Sequence, residues 1–252
     1  MKIQFCSDLH LEFLENRKYL KSNPILPIGE ILILAGDIGL LKRKEEYIYF
    51  FKYLSKKFKT VYWLPGNHEY YNSDLDTIKT PLFETILENV FLLNNKTVII
   101  EYVDIIFSTL WSHIPIQHEW TIQKSVSDFF YIRKHGKTIM PKDFNEMHER
   151  DLLFIKSEIA KSTNRKKIIV THHVPTFQNY PAQYRDSEIN CAFATELFDL
   201  IEQSNVDFWI YGHHHCNIPE FKIGNTTMIT NQLGYVHQKE NLLFSRERII
   251  EI

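Results

Sequence analysis

The chain has 252 residues, 44% of them hydrophobic and 24% charged, with a formal net charge of -2. That balance excludes a disordered or collagen-like chain, and the charge excludes a broad basic field drawing in nucleic acid, leaving only a local basic patch open. The length suits one α/β domain with a substantial core or two small ones; no boundary, internal repeat or low-complexity linker is visible, so a single domain over 1–252 is expected.

In chain order, residues 3–6 form an apolar strand pattern that ends at Asp8-Leu9-His10. Residues 31–35 repeat the pattern and end at Gly36-Asp37. Residues 45–58 read as a helix, with Ile48, Phe51, Tyr53 and Leu54 on one side and lysines on the other. A strand at 61–64 runs into the turn Pro65-Gly66 and the signature Gly66-Asn67-His68-Glu69. Residues 74–87 read as a second helix, and 98–100 with 105–108 as a hairpin around Asp104. The stretch 111–140 is the least regular, rich in aromatics and His, and is expected to form a cap or rim.

Pro141 starts a helix over 143–160. The strand 167–170 ends at Thr171-His172-His173, a loop covers 175–190, and 191–201 is expected to be helical. The strand 208–211 ends at Gly212-His213-His214-His215, another strand spans 227–230, and the tail 242–250 is expected at a sheet edge. Strand runs apolar throughout are those buried on both faces, and their alternation with helices gives a layered α/β domain.

Five His/Asp/Asn signatures thus stand at five strand ends, where polar side chains from neighbouring strands converge. Asp8 and His10 can reach one ion if the chain leaves the extended form. Gly36 permits a sharp turn, and the two oxygens of Asp37 can bridge two cations. The Asn67 carbonyl is a hard neutral ligand, and a His68 pointing elsewhere is free for acid–base work. Alternate histidines of 213–215 can serve different ions. Oxygen and nitrogen donors without thiolate suit two divalent ions of manganese, iron, zinc or cobalt better than calcium or magnesium alone. Cys6, Cys191 and Cys216 have no paired spacing and read as ordinary core or surface residues. The chain shows no leader pattern and no apolar run of membrane-spanning length, so a cytoplasmic protein without a membrane segment is expected.

The ordered set D-x-H, G-D, G-N-H-D/E, H and G-H-x-H, matched from Asp8 to His215, resembles the calcineurin-like metallophosphoesterase superfamily. The resemblance implies an α/β four-layer sandwich, two mixed β-sheets flanked by helices. It implies that Asp8, His10 and His215 bind one ion, that Asn67, His172 and His213 bind the other, and that Asp37 bridges them. His68 would be catalytic and not a ligand, acting as general acid on the leaving oxygen or stabilising phosphoryl charge, while a hydroxide held between the ions attacks phosphorus in line. His173 would either face substrate or cap its loop, and His214 would be an exposed spacer.

Departures narrow the resemblance. Ile38-Gly39-Leu40-Leu41 stands where protein Ser/Thr phosphatases carry Asp-Arg-Gly, and Leu40 stands where purple acid phosphatases carry tyrosine. Repair-type nucleases carry extra domains for which this chain has little room. The segment Asn231-Gln232-Leu233-Gly234-Tyr235 is similar to small bacterial metallophosphoesterases. The expected activity is hydrolysis of a small phosphodiester or phosphomonoester, nucleotides included. Candidate rim groups are Tyr70, Trp111, His113, Trp120, Tyr184 and Arg185, with Arg133 and His173 as substrate-binding candidates; Trp111 is expected in the core. A structure-selective nuclease is the alternative, motivated by Lys42-Arg43-Lys44 and Lys52, Lys56, Lys57 and Lys59, but Glu45 and Glu46 make that stretch read as a solvated helix face. A non-catalytic metal-binding scaffold is the alternative from another class.

Overall fold

The structure is a computed structural model, and it describes residues 1–161 and 165–252. Its strands are β1 (Lys2–Cys6), β2 (Ile31–Ala35), β3 (Thr60–Leu64), β4 (Leu82–Leu87), β5 (Val90–Asn94), β6 (Lys96–Ile100), β7 (Val103–Ser108), β8 (Arg133–Lys134), β9 (Lys137–Thr138), β10 (Lys166–Thr171), β11 (Phe208–Tyr211), β12 (Phe221–Ile223), β13 (Thr226–Thr230) and β14 (Ile249–Glu251). The α-helices are α1 (Leu14–Ser22), α2 (Ile48–Ser55), α3 (Glu119–Ser125), α4 (Asp128–Tyr131), α5 (Pro141–Ala160) and α6 (Phe198–Glu202).

Two six-stranded sheets carry the fold, ordered β14-β1-β2-β3-β5-β4 and β12-β13-β11-β10-β7-β6. The inner pairs β1·β2, β2·β3 and β3·β5 are parallel, as are β7·β10, β10·β11 and β11·β13. Antiparallel β14, β4, β12 and β6 close the edges, so both sheets are mixed.

Alternate side chains explain the layers, because successive residues of a strand point to opposite faces. Ile3, Phe5, Ile31 and Ile33 of the first sheet meet Ile105, Phe107, Ile168 and Val170 of the second between the sheets. Leu32, Leu34, Val61 and Trp63 face outward onto Phe51 and Leu54 of α2. On the far side, Ile169, Trp209 and Met228 pack on Ile155 of α5 and Ile201 of α6. The result is the expected four-layer α/β sandwich.

Several local expectations change. Leu75, Ile78, Leu82 and Ile86 mimic a helical stripe, yet Pro81 lacks an N–H, and 82–87 instead pair antiparallel with β5. Asp104 is not the hairpin turn: Glu101 and Tyr102 turn the chain, and Asp104 is buried within β7 beside Arg165. The expected helix over 191–201 is reduced to a short 3₁₀ turn and α6, because Ala194 bridges to Val174 and holds that stretch extended. Neither α1 nor β5 was anticipated. The long helix α5 starts as expected, with Pro141 in its first turn and the Asp143 carboxylate accepting from Met140 N at 2.9 Å. The tail does pair at a sheet edge, as β14 against β1.

Candidate metal centre

The five signatures lie at the carboxyl ends of parallel strands, where open α/β sheets place their ligands. Asp8 and His10 follow β1, Asp37 follows β2, Asn67 and His68 follow β3, His172 follows β10, and His213 and His215 follow β11. The turns are tight. Asp8, His10, Asp37, His213 and His215 all adopt positive φ, between 47° and 79°. Side chains rarely adopt that region without support, and such strain gathers at functional sites.

Two groups of donor atoms share Asp37 there, beside a third made of His10, Glu12 and His68. Asp8, His10, Asp37 and His215 form one and Asp37, His172 and His213 the other, with the donor atoms of each within 4.8 Å of one another. Asp37 belongs to both: Oδ2 lies 3.8 Å from His10 Nε2, and Oδ1 lies 3.4 Å from His172 Nε2. His215 Nε2 is 3.4 Å from Asp8 Oδ1, and Asn67 Oδ1 is 3.1 Å from His172 Nε2.

The chemistry of these donors fits metal ions. His10 Nε2 faces His215 Nε2 at 2.9 Å, and His172 Nε2 faces His213 Nδ1 at 3.1 Å. Three of the four remaining ring nitrogens already have acceptors: His10 Nδ1 donates to Glu12 Oε1 (3.0 Å), His215 Nδ1 to Glu240 Oε2 (2.8 Å) and His172 Nδ1 to the Ala35 carbonyl (3.0 Å), while His213 Nε2 is buried without a partner. Fixing Nδ1–H in this way turns the Nε2 lone pairs toward the centre, the arrangement of metal-bound imidazole. Glycines make the close approach possible. A Cβ on Gly66 would collide with Asp37 Oδ1 and His172 Nε2, and one on Gly212 would stand 2.6 Å from Asp8 Oδ2.

The electrostatics follow from dense burial of opposite charges. Burial opposes ionisation of Glu12, but His10 and His68 pull its carboxyl down to about 2. Burial also works against the His215 imidazolium, yet Asp8 and Glu240 raise it to about 10; Asp37 and Asp8 raise His172 to about 9. His68 is likewise held above its ordinary value, by Asp37 and Glu12 against burial. Its Nδ1 lies 2.8 Å from Glu12 Oε1, leaving Nε2 3.3 Å from the Tyr235 hydroxyl. Burial and Asp37 push Glu69 up to about 8. The hydrogen bonds argue the other way: Glu69 accepts from Asp37 N (2.9 Å), Ile38 N (2.7 Å), Gly66 N (2.7 Å) and Trp63 Nε1 (2.9 Å). With donors on both oxygens the arrangement is that of a carboxylate, and it ties the loops after β2 and β3 together.

A cavity of about 580 Å³ opens over the centre, lined by Asp37, Asn67, His68, His213 and His215 among others. Asp8, His10, Asp37, Asn67, His68, His172, His213 and His215 are therefore brought together. Other expected residues are not. His173 is wholly buried behind His213, its ring stacked at 4.1 Å and its Nδ1 2.8 Å from Ser112 Oγ, and it is not among the lining residues. Arg133 is exposed on β8, held there by its N–H to Ser73 O, and also lies outside the lining. His214 is not the exposed spacer expected. Its ring is buried beside Gln232 (Nε2 to Nδ1, 2.9 Å), and burial lowers it to about 4. Trp111 is in the core as expected, while Tyr184 reaches the cavity wall.

Sequence reasoning missed Glu12, Asp128, Glu240, Tyr71 and Tyr235 at this site. Glu12, two residues beyond His10, and Tyr71, three beyond His68, were within reach; Asp128, Glu240 and Tyr235 approach from distant segments with no local signature.

The comparisons with known proteins agree with this geometry. The profile described as Calcineurin-like phosphoesterase matches residues 1–217. The chain belongs to the calcineurin-like phosphoesterase family. It is accordingly a metallophosphoesterase, a phosphoric ester hydrolase with a metal-binding site. An uncharacterized protein of Acanthamoeba polyphaga mimivirus is 31% identical over 95% of this chain and 93% of its own length. The 3',5'-cyclic adenosine monophosphate phosphodiesterase CpdA of Haemophilus influenzae is 22% identical over 80% of this chain and 60% of its own. Among solved structures, the phosphopantetheinyl hydrolase of Mycobacterium tuberculosis superposes with a TM-score of 0.73 at 17% identity, over 99% of this chain and 95% of that one, a likeness of fold. No helix among the described residues of this family member is long and apolar enough to cross a membrane.

Proposed function

We propose that the protein hydrolyses a small phosphate ester at a dinuclear centre held by Asp8, His10, Asp37, Asn67, His172, His213 and His215. The observation that carries this reading is the double membership of Asp37, whose two oxygens face the two donor groups separately. Divalent ions bound there would activate water and neutralise the phosphoryl oxygens. The oxygen and nitrogen donors suit manganese, iron, zinc or cobalt.

The chain's own residues supply the rest. Glu12 fixes His68 Nδ1–H and so aims Nε2 at the cavity, where it would donate a proton to the leaving oxygen. Nearly all the proposed ligands are buried, which strengthens the electrostatic interactions among them. Ser125, Val126, Ser127, Asp128 and Tyr131 bring the 111–140 segment to the cavity wall, which supports reading that segment as a rim within one functional unit. Three free cysteines accord with a cytoplasmic setting.

The names of the Haemophilus and Mycobacterium relatives accord with a small organic phosphate ester. The test is hydrolysis of a chromogenic phosphodiester and the matching monoester by manganese-loaded protein. Turnover is expected to fall at least about a hundredfold in His68→Asn and in Asp37→Ala. Full turnover by metal-free Asp37→Ala protein would overturn the proposal.

A further inference from the structure

The cavity over the centre has an unusual charge balance for a site that handles phosphate. Its acidic lining groups are Glu12, Asp37, Asp128 and Glu240, and no lysine or arginine stands among the described lining residues. Two divalent ions would bring four positive charges. The carboxylates of Asp8 and Asp37 at the centre, with those of Glu12, Asp128 and Glu240 one hydrogen bond from its donors and in the cavity lining, bring five negative ones. Little positive charge remains beyond what one phosphoryl group meets directly at the ions. A second phosphate in this cavity would lose its hydration and face carboxylates and rings. Lysines are near but elsewhere: Lys42, Lys79 and Lys96 line a separate groove that shares Asn72 with the cavity.

Seven of the uncharged lining residues are Phe or Tyr, and several of their rings are ordered against the histidines. Tyr71 stacks on His68 with centroids 4.3 Å apart, and Tyr131 lies 5.3 Å beyond it, 49% exposed. Phe193 stacks on His213 at 4.9 Å. Tyr235 stands edge-on to His215 at 4.4 Å, with Phe13 against it at 5.3 Å. The Tyr71–Tyr131 wall is on the His68 side, where the leaving oxygen would depart. Ring faces fixed in this way offer stacking surface to a flat group at little ordering cost.

Resting on the proposed function, we infer that the substrate carries a single phosphoryl group, and that its leaving side bears a flat ring and no negative charge. The walls, and not the ions, set this selectivity: the ions accept any phosphoryl oxygen, while acidic and aromatic walls admit only a neutral or cationic flat moiety.

The test measures binding, so it is independent of turnover. Manganese-loaded wild-type protein is titrated calorimetrically with three phosphonate analogues that hydrolysis cannot consume: thymidine 5'-phosphonate, thymidine 3',5'-bisphosphonate and ribose 5-phosphonate. The first is expected to bind at least about tenfold more tightly than each of the others. Tyr131→Ala is expected to weaken the thymidine compound about tenfold and leave the ribose compound unchanged. Ser187→Lys, an exposed substitution in the wall, is expected to bring the bisphosphonate to parity. A bisphosphonate that binds wild type as tightly or more tightly overturns the inference, as would follow if the lysine groove reached it. Equal binding of the ribose compound, or binding of none of the three, overturns it as well. Absent hydrolysis with this binding order intact would instead count against the proposed function alone.

Discussion

The carboxylate of Asp128, on the short helix α4, accepts the Asn67 amide Nδ2–H at 2.8 Å, and that contact decides which end of the amide faces His172. An amide has one donor end and one acceptor end. With Nδ2 engaged by Asp128, Oδ1 is left pointing into the centre. Asp128 also accepts from the Tyr71 hydroxyl at 2.7 Å, so one buried carboxylate couples the rim segment, the aromatic wall and a proposed metal ligand.

Asp128→Ala should therefore release the Asn67 amide and weaken one of the two proposed ions. Metal content after gel filtration is expected to fall toward one ion per chain, with activity down about 10–100-fold. Asp128→Asn keeps an acceptor oxygen and should lose less. Unchanged metal content in the alanine variant would show that Asn67 orients itself.

Glu69 ties two loops together through four strong N–H bonds at zero exposure. Glu69→Ala leaves those donors buried without acceptors. The expected loss is at least about 3 kcal/mol of folding stability, read from denaturant melts, since each orphaned donor costs about 1–3 kcal/mol.

Gly66→Ala places a methyl group where Asp37 and His172 stand. Neither can retreat, because Asp37 Oδ1 accepts from His68 N and His172 Nδ1 is held by the Ala35 carbonyl. Metal binding and turnover should both collapse while far-ultraviolet circular dichroism stays close to wild type; retained stoichiometric metal would refute this.

His148 of α5 gives a pH prediction away from the centre. It is 4% exposed, its Nδ1 donates to the Trp111 carbonyl, and burial, with His113 nearby, lowers its pKa. The folded protein thus holds the neutral ring more strongly than the unfolded chain does. That stability is present above the unfolded value of about 6.5 and is lost as pH falls through the lower folded value. His148→Gln should lower Tm at about pH 8 but show a shallower decline between about pH 6.5 and 5 than wild type, both in chelator. Parallel curves would show that His148 does not titrate in that window.

Much of the site was legible because its proposed ligands are local to strand ends. Short apolar runs at 3–6, 31–35, 61–64, 167–170 and 208–211 announce buried parallel strands, and the polar residue after each has one place to go. Patterning failed where a neighbour outweighed periodicity. Residues 82–87 carry a helix-like stripe, but an open edge at β5 and Pro81 made them a strand.

The sequence by itself determined the order of the strands' chemistry: which side chains stand at each strand end, and hence the family and the proposed ligands. Only the tertiary structure decided how those ligands are held and what surrounds them. Glu12 meets His68 across 56 residues, Asp128 meets Asn67 across 61, and Glu240 meets His215 across 25. No local pattern encodes such contacts, because hydrogen-bond partners are chosen by packing of the sheets and loops and not by spacing along the chain. For the same reason His214, which looks like a solvated spacer in sequence, is a buried neutral ring in the fold.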